Sequence, residues 1–207
     1  MLQEFSKLGF AKIEYENFDR TINGLRKRLE YLRKAEKYAD LIYSAPNQMG
    51  LALREYSVNL QQITLSTFDN NPFQRRNKPK VLHVPSNPFV KGTKYVRSVF
   101  QSLEKRGIQF EPIIPEGLLS YGDVIKLYQD CDILVGQLLV PGGGKQEREL
   151  LACGKVVLSN MSADYESYVP NASPIIDVNI DSLETKLEEV INNYDFRVRT
   201  ARLGREY

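Results

Sequence analysis

Between residues 78 and 194 the chain alternates short apolar runs with segments of helical periodicity, and few folds accept that rhythm. Residues 80–84, 109–114, 132–135, 156–159 and 175–178 read as strands, and the apolar run Val156, Val157 and Leu158 as a buried one. Segments 93–106, 122–131, 145–153 and 181–193 read as helices, the last with Leu183, Leu187, Val190 and Ile191 on one face. Five strands joined by helical crossovers predict an α/β domain on a parallel sheet flanked by helices.

Before residue 78 the rhythm breaks. Residues 19–38 put Leu25, Leu29 and Leu32 on one helical stripe, and short strands are expected at 41–43 and around 63–65. The polar segment 70–80, with two prolines, reads as a linker. The front piece holds too few strands for a domain of its own. We therefore expect residues 1–77 to be the end of one domain plus a linker, with a leucine stripe lacking its partner, and residues 78–207 to be a second domain. The helical pattern of the last residues carries no stop signal.

Composition narrows the function. A formal net charge of +2 is too small to indicate nucleic acid, and no run reaches the roughly 18 apolar residues of a membrane span. The N-terminus is too polar for a signal peptide, so a cytoplasmic chain is expected. Cys131 and Cys153 lack metal-ligand spacing and have only His83 to help them, which predicts reduced packing residues and a core or strand-end histidine. Asp130 and Asp132 are expected to be structural and to point to opposite faces around a helix end. The basic residues Arg26, Lys27, Arg28, Arg33, Lys34 and Lys37 suggest peripheral membrane or partner contact, but Glu30 and Glu36 interrupt them and favour a solvated helix face.

The chemistry concentrates in residues 141–160, PGGGKQERELLACGKVVLSN. Gly142, Gly143 and Gly144 let the backbone approach a ligand closely, and the helix that follows adds free N–H donors and a positive dipole end. That combination suits a phosphate. It is not a P-loop, because Leu139 and Gln146 stand where that pattern needs glycine and Ser or Thr. A purely structural turn remains the alternative at this point.

Four segments in order resemble the C-terminal, donor-binding half of GT-B fold glycosyltransferases of the retaining family 4 (group 1) type. They are KVLHVPSNPFVKGT at 80–93, EPIIPEGLLSYGDVIKLY at 111–128, YQDCDILVGQ at 128–137 and GGGKQERELLACGKVVLSN at 142–160. Residues 35–70 are similar to the end of that family's N-terminal domain, where a strand like ADLIYSAP precedes the interdomain linker. The resemblance implies a Rossmann-like donor domain joined to a remnant of the acceptor-side domain. It implies that Lys91, Gly143, Gly144 and Lys145 hold a donor diphosphate, that Glu149 binds the ribose, and that Pro115, Glu116, Gly117 and Leu118 contact the base. It implies a nucleotide-sugar substrate, a saccharide or lipid-linked acceptor, an N-terminal partner domain lying outside this chain, and neither cofactor nor metal.

The sequence departs from that family at three places. Pro141 replaces the first carboxylate of the Glu-x7-Glu pair, which would hold sugar hydroxyls. Pro88 and Phe89 stand where an arginine usually accompanies the lysine. The family's catalytic histidine belongs to the N-terminal domain and His83 does not match it, so no catalytic residue is assigned here. A non-catalytic nucleotide-binding or pseudoenzyme module of the same fold is the alternative reading. For Lys91 the alternative is a solvated loop lysine, and for Glu149 a helix-surface residue paired with Lys145.

Overall fold

The computed structural model describes residues 22–44, 52–58, 62–68, 75–117, 119–141, 144–161 and 173–207. Helix α1 (Ile22–Tyr38) leads into a two-stranded parallel sheet, β1 (Tyr43–Ser44) with β2 (Ser57–Val58). The end of α1 leaves carbonyls that the helix itself cannot satisfy. Arg54 supplies the donors, reaching the carbonyl oxygens of Glu36, Ala39 and Asp40 at 3.0, 2.6 and 2.8 Å. The stripe expected on α1 is only half-covered at Leu29 and Leu32, while the side chain of Leu25 lies outside the described part. Tyr31, Tyr38, Leu41, Tyr43 and Leu53 are exposed around it.

The second front strand lies earlier than the sequence predicts. Residues 63–65 do not pair; Leu65–Thr67 form a single 3₁₀ turn, and the pairing with β1 comes from Ser57–Val58. Burial explains the difference. Phe68, just after the turn, is buried with Leu82, Leu134, Leu150 and Val157, so this segment is held by its aromatic anchor rather than by a ladder.

The main sheet contains β3 (Lys80–Leu82), β4 (Glu111–Ile113), β5 (Ile133–Val135), β6 (Val156–Ser159) and β7 (Ile176–Asp177). All neighbours pair in parallel in the order β4-β3-β5-β6-β7. Between the strands run α2 (Pro88–Lys91) and α3 (Thr93–Lys105), α4 (Tyr121–Asp130), and α5 (Lys145–Ala152); α6 (Leu183–Asn192) and α7 (Tyr194–Glu206) follow β7. The expected parallel α/β sheet is present, with element ends within about two residues of their predicted places.

Alternate residues of the central strands face opposite layers, which is why the runs are apolar throughout. Val81, Ile133, Val135, Val156 and Leu158 pack with Val96, Phe100 and Leu103 of α3 and with Leu183 and Leu187 of α6. On the other side, Leu82, Leu134 and Val157 pack with Tyr128 of α4, Leu150 of α5, Cys131 and Cys153. Both cysteines are free and buried. Each fully buried leucine contributes roughly 1.5–3 kcal/mol relative to exposure.

The acidic pair corrects one expectation. Asp130 and Asp132 do not diverge; both converge on Arg76, at 3.1 and 3.3 Å, at the amino end of the sheet. Asp132 also accepts from the backbone N–H of Lys80 at 2.8 Å, and Asp130 from the Lys80 ammonium at 2.6 Å. Their role is structural, as expected, and consists in fastening residues 75–80 to the start of β3. The Lys80 hydrogen bond, outweighing partial burial, holds the Asp130 carboxyl below its usual range. Among the described residues no helix is long and apolar enough to cross a membrane.

Candidate functional site

Strand β3 lies between β4 and β5, so the chain leaves β3 to one side and returns to the other. Such a reversal opens a crevice beyond the carboxyl ends of the strands, where the loops after β3 and β5 part. Of the predicted site residues that are described, Lys91 follows β3, residues 115–117 follow β4, and Gly144, Lys145 and Glu149 follow β5.

The loop after β3 is fixed by a neutral histidine. His83 is buried, with Nδ1 2.8 Å from the carbonyl oxygen of Val135 and Nε2 2.9 Å from the Thr93 hydroxyl. A carbonyl only accepts, so Nδ1 carries the proton and Nε2 accepts from Thr93. Burial, aided by the positive charges of Lys91 and Arg97, pulls the imidazole down to about 4. His83 is thus the core histidine expected, and it ties β3, β5 and the start of α3 together.

Lys91 ends α2 just before Gly92, whose φ of 77° is the left-handed conformation that glycine tolerates best. A side chain at Gly92 would also press on Leu138 and Leu139 at 3.3 Å. The Lys91 carbonyl accepts from the Leu138 N–H at 3.3 Å, which joins this loop to the one after β5. Lys91 is no solvated loop residue. Only 14% of its side chain is exposed, and its ammonium lies 3.7 Å from Glu147 Oε1.

Sequence reasoning missed Glu147. Its side chain is fully buried in the first turn of α5, and Oε1 accepts from the Ser159 hydroxyl at 3.1 Å and the Gln137 N–H at 3.4 Å. A methyl group at Gly136 would stand 2.6 Å from Glu147 Oε1, and one at Gly144 would stand 2.8 Å from Oε2. Both glycines therefore make room for this carboxylate. The signal in sequence was faint: a Glu two positions before Glu149, on a helix otherwise read for its glycines.

Gly144 caps α5 with extended backbone, and Lys145 opens it. Gln146 donates to the Val84 carbonyl at 2.9 Å, which draws the start of α5 against the loop after β3. Gly142 and Gly143 lie outside the described residues. Glu149 is buried, and its Oε1 accepts from the Tyr121 hydroxyl at 2.7 Å, with the Lys145 ammonium 3.5 Å away. Pairing with Lys145 is therefore real, but Glu149 is not a surface residue. Lys145 also sits over the Tyr121 ring at 5.4 Å. Donating to the Glu149 carboxylate, together with some burial, pushes the Tyr121 phenol up to about 12. Tyr121 is a second residue the sequence did not single out.

The segment expected at a base follows β4. Pro115 is half-buried, Glu116 and Gly117 are exposed, and Leu118 lies outside the described residues. Ser120 then caps α4 by accepting from the Asp123 N–H at 3.2 Å, which brings Tyr121 onto Glu149. Pro88 and Phe89, in place of the missing arginine, line a cleft of 330 Å³ with Tyr95, Arg97 and Leu139 beside Gly92. Among the described residues no group of three or more His, Cys, Asp or Glu is placed to hold a metal.

Two buried carboxylates thus lie on α5: Glu147 in its first turn meets the shielded Lys91, and Glu149 meets Tyr121 and Lys145. A lysine and a helix start suit an anion; a carboxylate within reach of two hydroxyls suits a diol.

No protein-family model matches the sequence, and no curated protein is detectably similar to it. Solved structures do share its fold. S. aureus TarM, solved as a G117R mutant with fondaparinux, a GlcNAc-glycerol and UDP, superposes with a TM-score of 0.67 at 16% identity over 94% of this chain and 45% of its own. The sucrose-phosphate synthase of Thermosynechococcus elongatus gives 0.68 at 13% identity over 94% and 59%. HepE of Anabaena, solved with UDP and glucose, gives 0.60 at 14% identity over 95% and 64%. The chain spans about half to two thirds of the length of these proteins. Its fold, a five-stranded parallel sheet flanked by helices, is the α/β arrangement of GT-B proteins.

Proposed function

We propose that this chain is the donor-binding half of a retaining glycosyltransferase of the family 4 (group 1) type, transferring a sugar from a nucleotide-sugar to a saccharide or lipid acceptor. The observation that carries this reading is that Lys91 lies against the first turn of α5, at Glu147, and that the same helix carries the buried Glu149. The neighbours solved with UDP lend support through fold alone.

In this reading the diphosphate lies between Lys91 and the backbone of residues 143–145, the ribose hydroxyls donate to Glu149, and the base rests along residues 115–118. Lys145 neutralises charge at the open side. As the bond from sugar to phosphate breaks, negative charge grows on the leaving diphosphate, and preoriented N–H groups with one ammonium lower that barrier. No protein nucleophile and no metal enter the scheme. In this reading the acceptor site belongs to a second domain, and the apolar residues exposed on the front segment, Tyr31, Tyr38, Leu41, Tyr43 and Leu53, offer it a surface to pack on.

Titration calorimetry with UDP tests the site. Binding to the wild-type chain, weakened in Glu149→Ala by a lost charge-assisted contact, is the expected result. No binding, or binding indifferent to Glu149, overturns the reading.

A further inference from the structure

The donor-site reading leaves one buried charged group unused. Glu147 sits in the first turn of α5 with no exposed surface, and its Oε2 has no hydrogen-bond partner. That oxygen lies against the backbone of Gly144, where a Cβ would come within 2.8 Å. The other oxygen faces Lys91 at 3.7 Å and takes donors from Ser159 and Gln137. The Glu147 carboxylate therefore lies between Gly144 and Lys91, two of the positions that the proposed site offers to a diphosphate. It draws on the same lysine and the same positive helix end.

We propose that Glu147 is a specificity-determining residue that sets the order of affinities between a nucleoside diphosphate and the corresponding nucleoside-diphosphate sugar. The inference rests on the proposed diphosphate site. The two ligands differ in charge where they differ in chemistry. A free terminal phosphate has a second ionisation near pH 6 and carries additional negative charge at neutral pH, whereas in the sugar donor that oxygen is esterified. A buried carboxylate beside the diphosphate site opposes the extra charge more than it opposes the ester. Sugar transfer converts the second ligand into the first, so this residue favours holding the substrate and releasing the product. The structure also explains why glycine stands at 136 and 144: both positions close over this carboxylate.

The experiment measures Kd for UDP and for UDP-glucose, by calorimetry at pH 7.5 and low salt, on the wild-type chain, Glu147→Gln and Glu147→Met. Wild type is expected to bind UDP no more tightly than UDP-glucose. In both variants UDP binding should tighten about tenfold, the scale of one partly screened charge contact, while UDP-glucose tightens about threefold or less. A purely structural role would move both affinities together. Unchanged ratios in the variants would overturn the inference while leaving the nucleotide site standing. Weaker UDP-glucose binding with UDP unchanged would overturn it too, by placing the carboxylate on the sugar. Absence of binding by either ligand to every form would defeat the underlying site. If both variants fail to fold, a wild-type preference for UDP of tenfold or more is itself enough to reject the proposal.

Discussion

Removing Lys91 should damage the fold before it reports on any ligand. Glu147 has no exposed surface, and Lys91 is the one cation paired with it among the described residues. Truncating one partner of a buried ion pair costs roughly 3–5 kcal/mol, because the other charge stays buried. Here the cost is lower. Oε1 keeps its two donors, and the amino end of α5 favours a carboxylate by up to about 1 kcal/mol, so Lys91→Ala should lose about 2–3 kcal/mol. For a chain of this size that lowers Tm by about 4–12 °C. Neutralising the orphan should repair most of the damage: Lys91→Ala with Glu147→Gln is expected to recover about 1.5 kcal/mol or more over Lys91→Ala alone. Urea and thermal unfolding of the four proteins in this cycle supply the numbers. A Lys91→Ala chain within about 0.5 kcal/mol of wild type, or a double variant no more stable than it, would refute the buried-pair argument.

Further outcomes follow from the same geometry. His83 titrates at about 4 when folded against an ordinary 6.5, so the unfolded chain binds the proton more readily. Its contribution is complete above pH 6.5 and is lost as the pH falls through about 4, at most about 3 kcal/mol; unfolding curves of wild type and His83→Asn should diverge within that window, and parallel curves would exclude the role. Gly136→Ala forces a methyl group to within 2.6 Å of Glu147 Oε1 and should cost about 1–3 kcal/mol, less when Glu147 is shortened to Ser, as chemical denaturation would show. Sugar transfer by residues 1–207 alone should be undetectable with a donor panel and mass-detected product, because positioning donor and acceptor in a closed cleft is worth roughly 7–11 kcal/mol of the barrier. Robust transfer would show that the front segment completes an acceptor site.

The sheet was legible because buried parallel strands write continuous apolar runs, such as 133–135 and 156–158, that few other elements imitate. The front segment was less so. Its strands are two residues long, and Phe68, which anchors the segment, carries no periodicity that separates a buried turn from a strand. The candidate roles of Lys91 and Glu149 rest on ordered motifs, whereas no motif singles out Glu147 and Tyr121. Their importance lies in what folding brings to them: Lys91 from 56 residues earlier, and Glu149 from 28 residues later. The convergence of Asp130 and Asp132 on Arg76 was hidden for the same reason.

The central claim is that a nucleoside diphosphate occupies the crevice at the carboxyl ends of β3, β4 and β5. Amide chemical-shift mapping of the ¹⁵N-labelled chain during titration with UDP tests it most directly. The account predicts saturable shifts confined to residues 83–92, 115–121 and 136–149, with the amino end of the sheet around Arg76, Asp130 and Asp132 unmoved. Shifts centred on that opposite end, or none at ligand concentrations in the millimolar range, would contradict it.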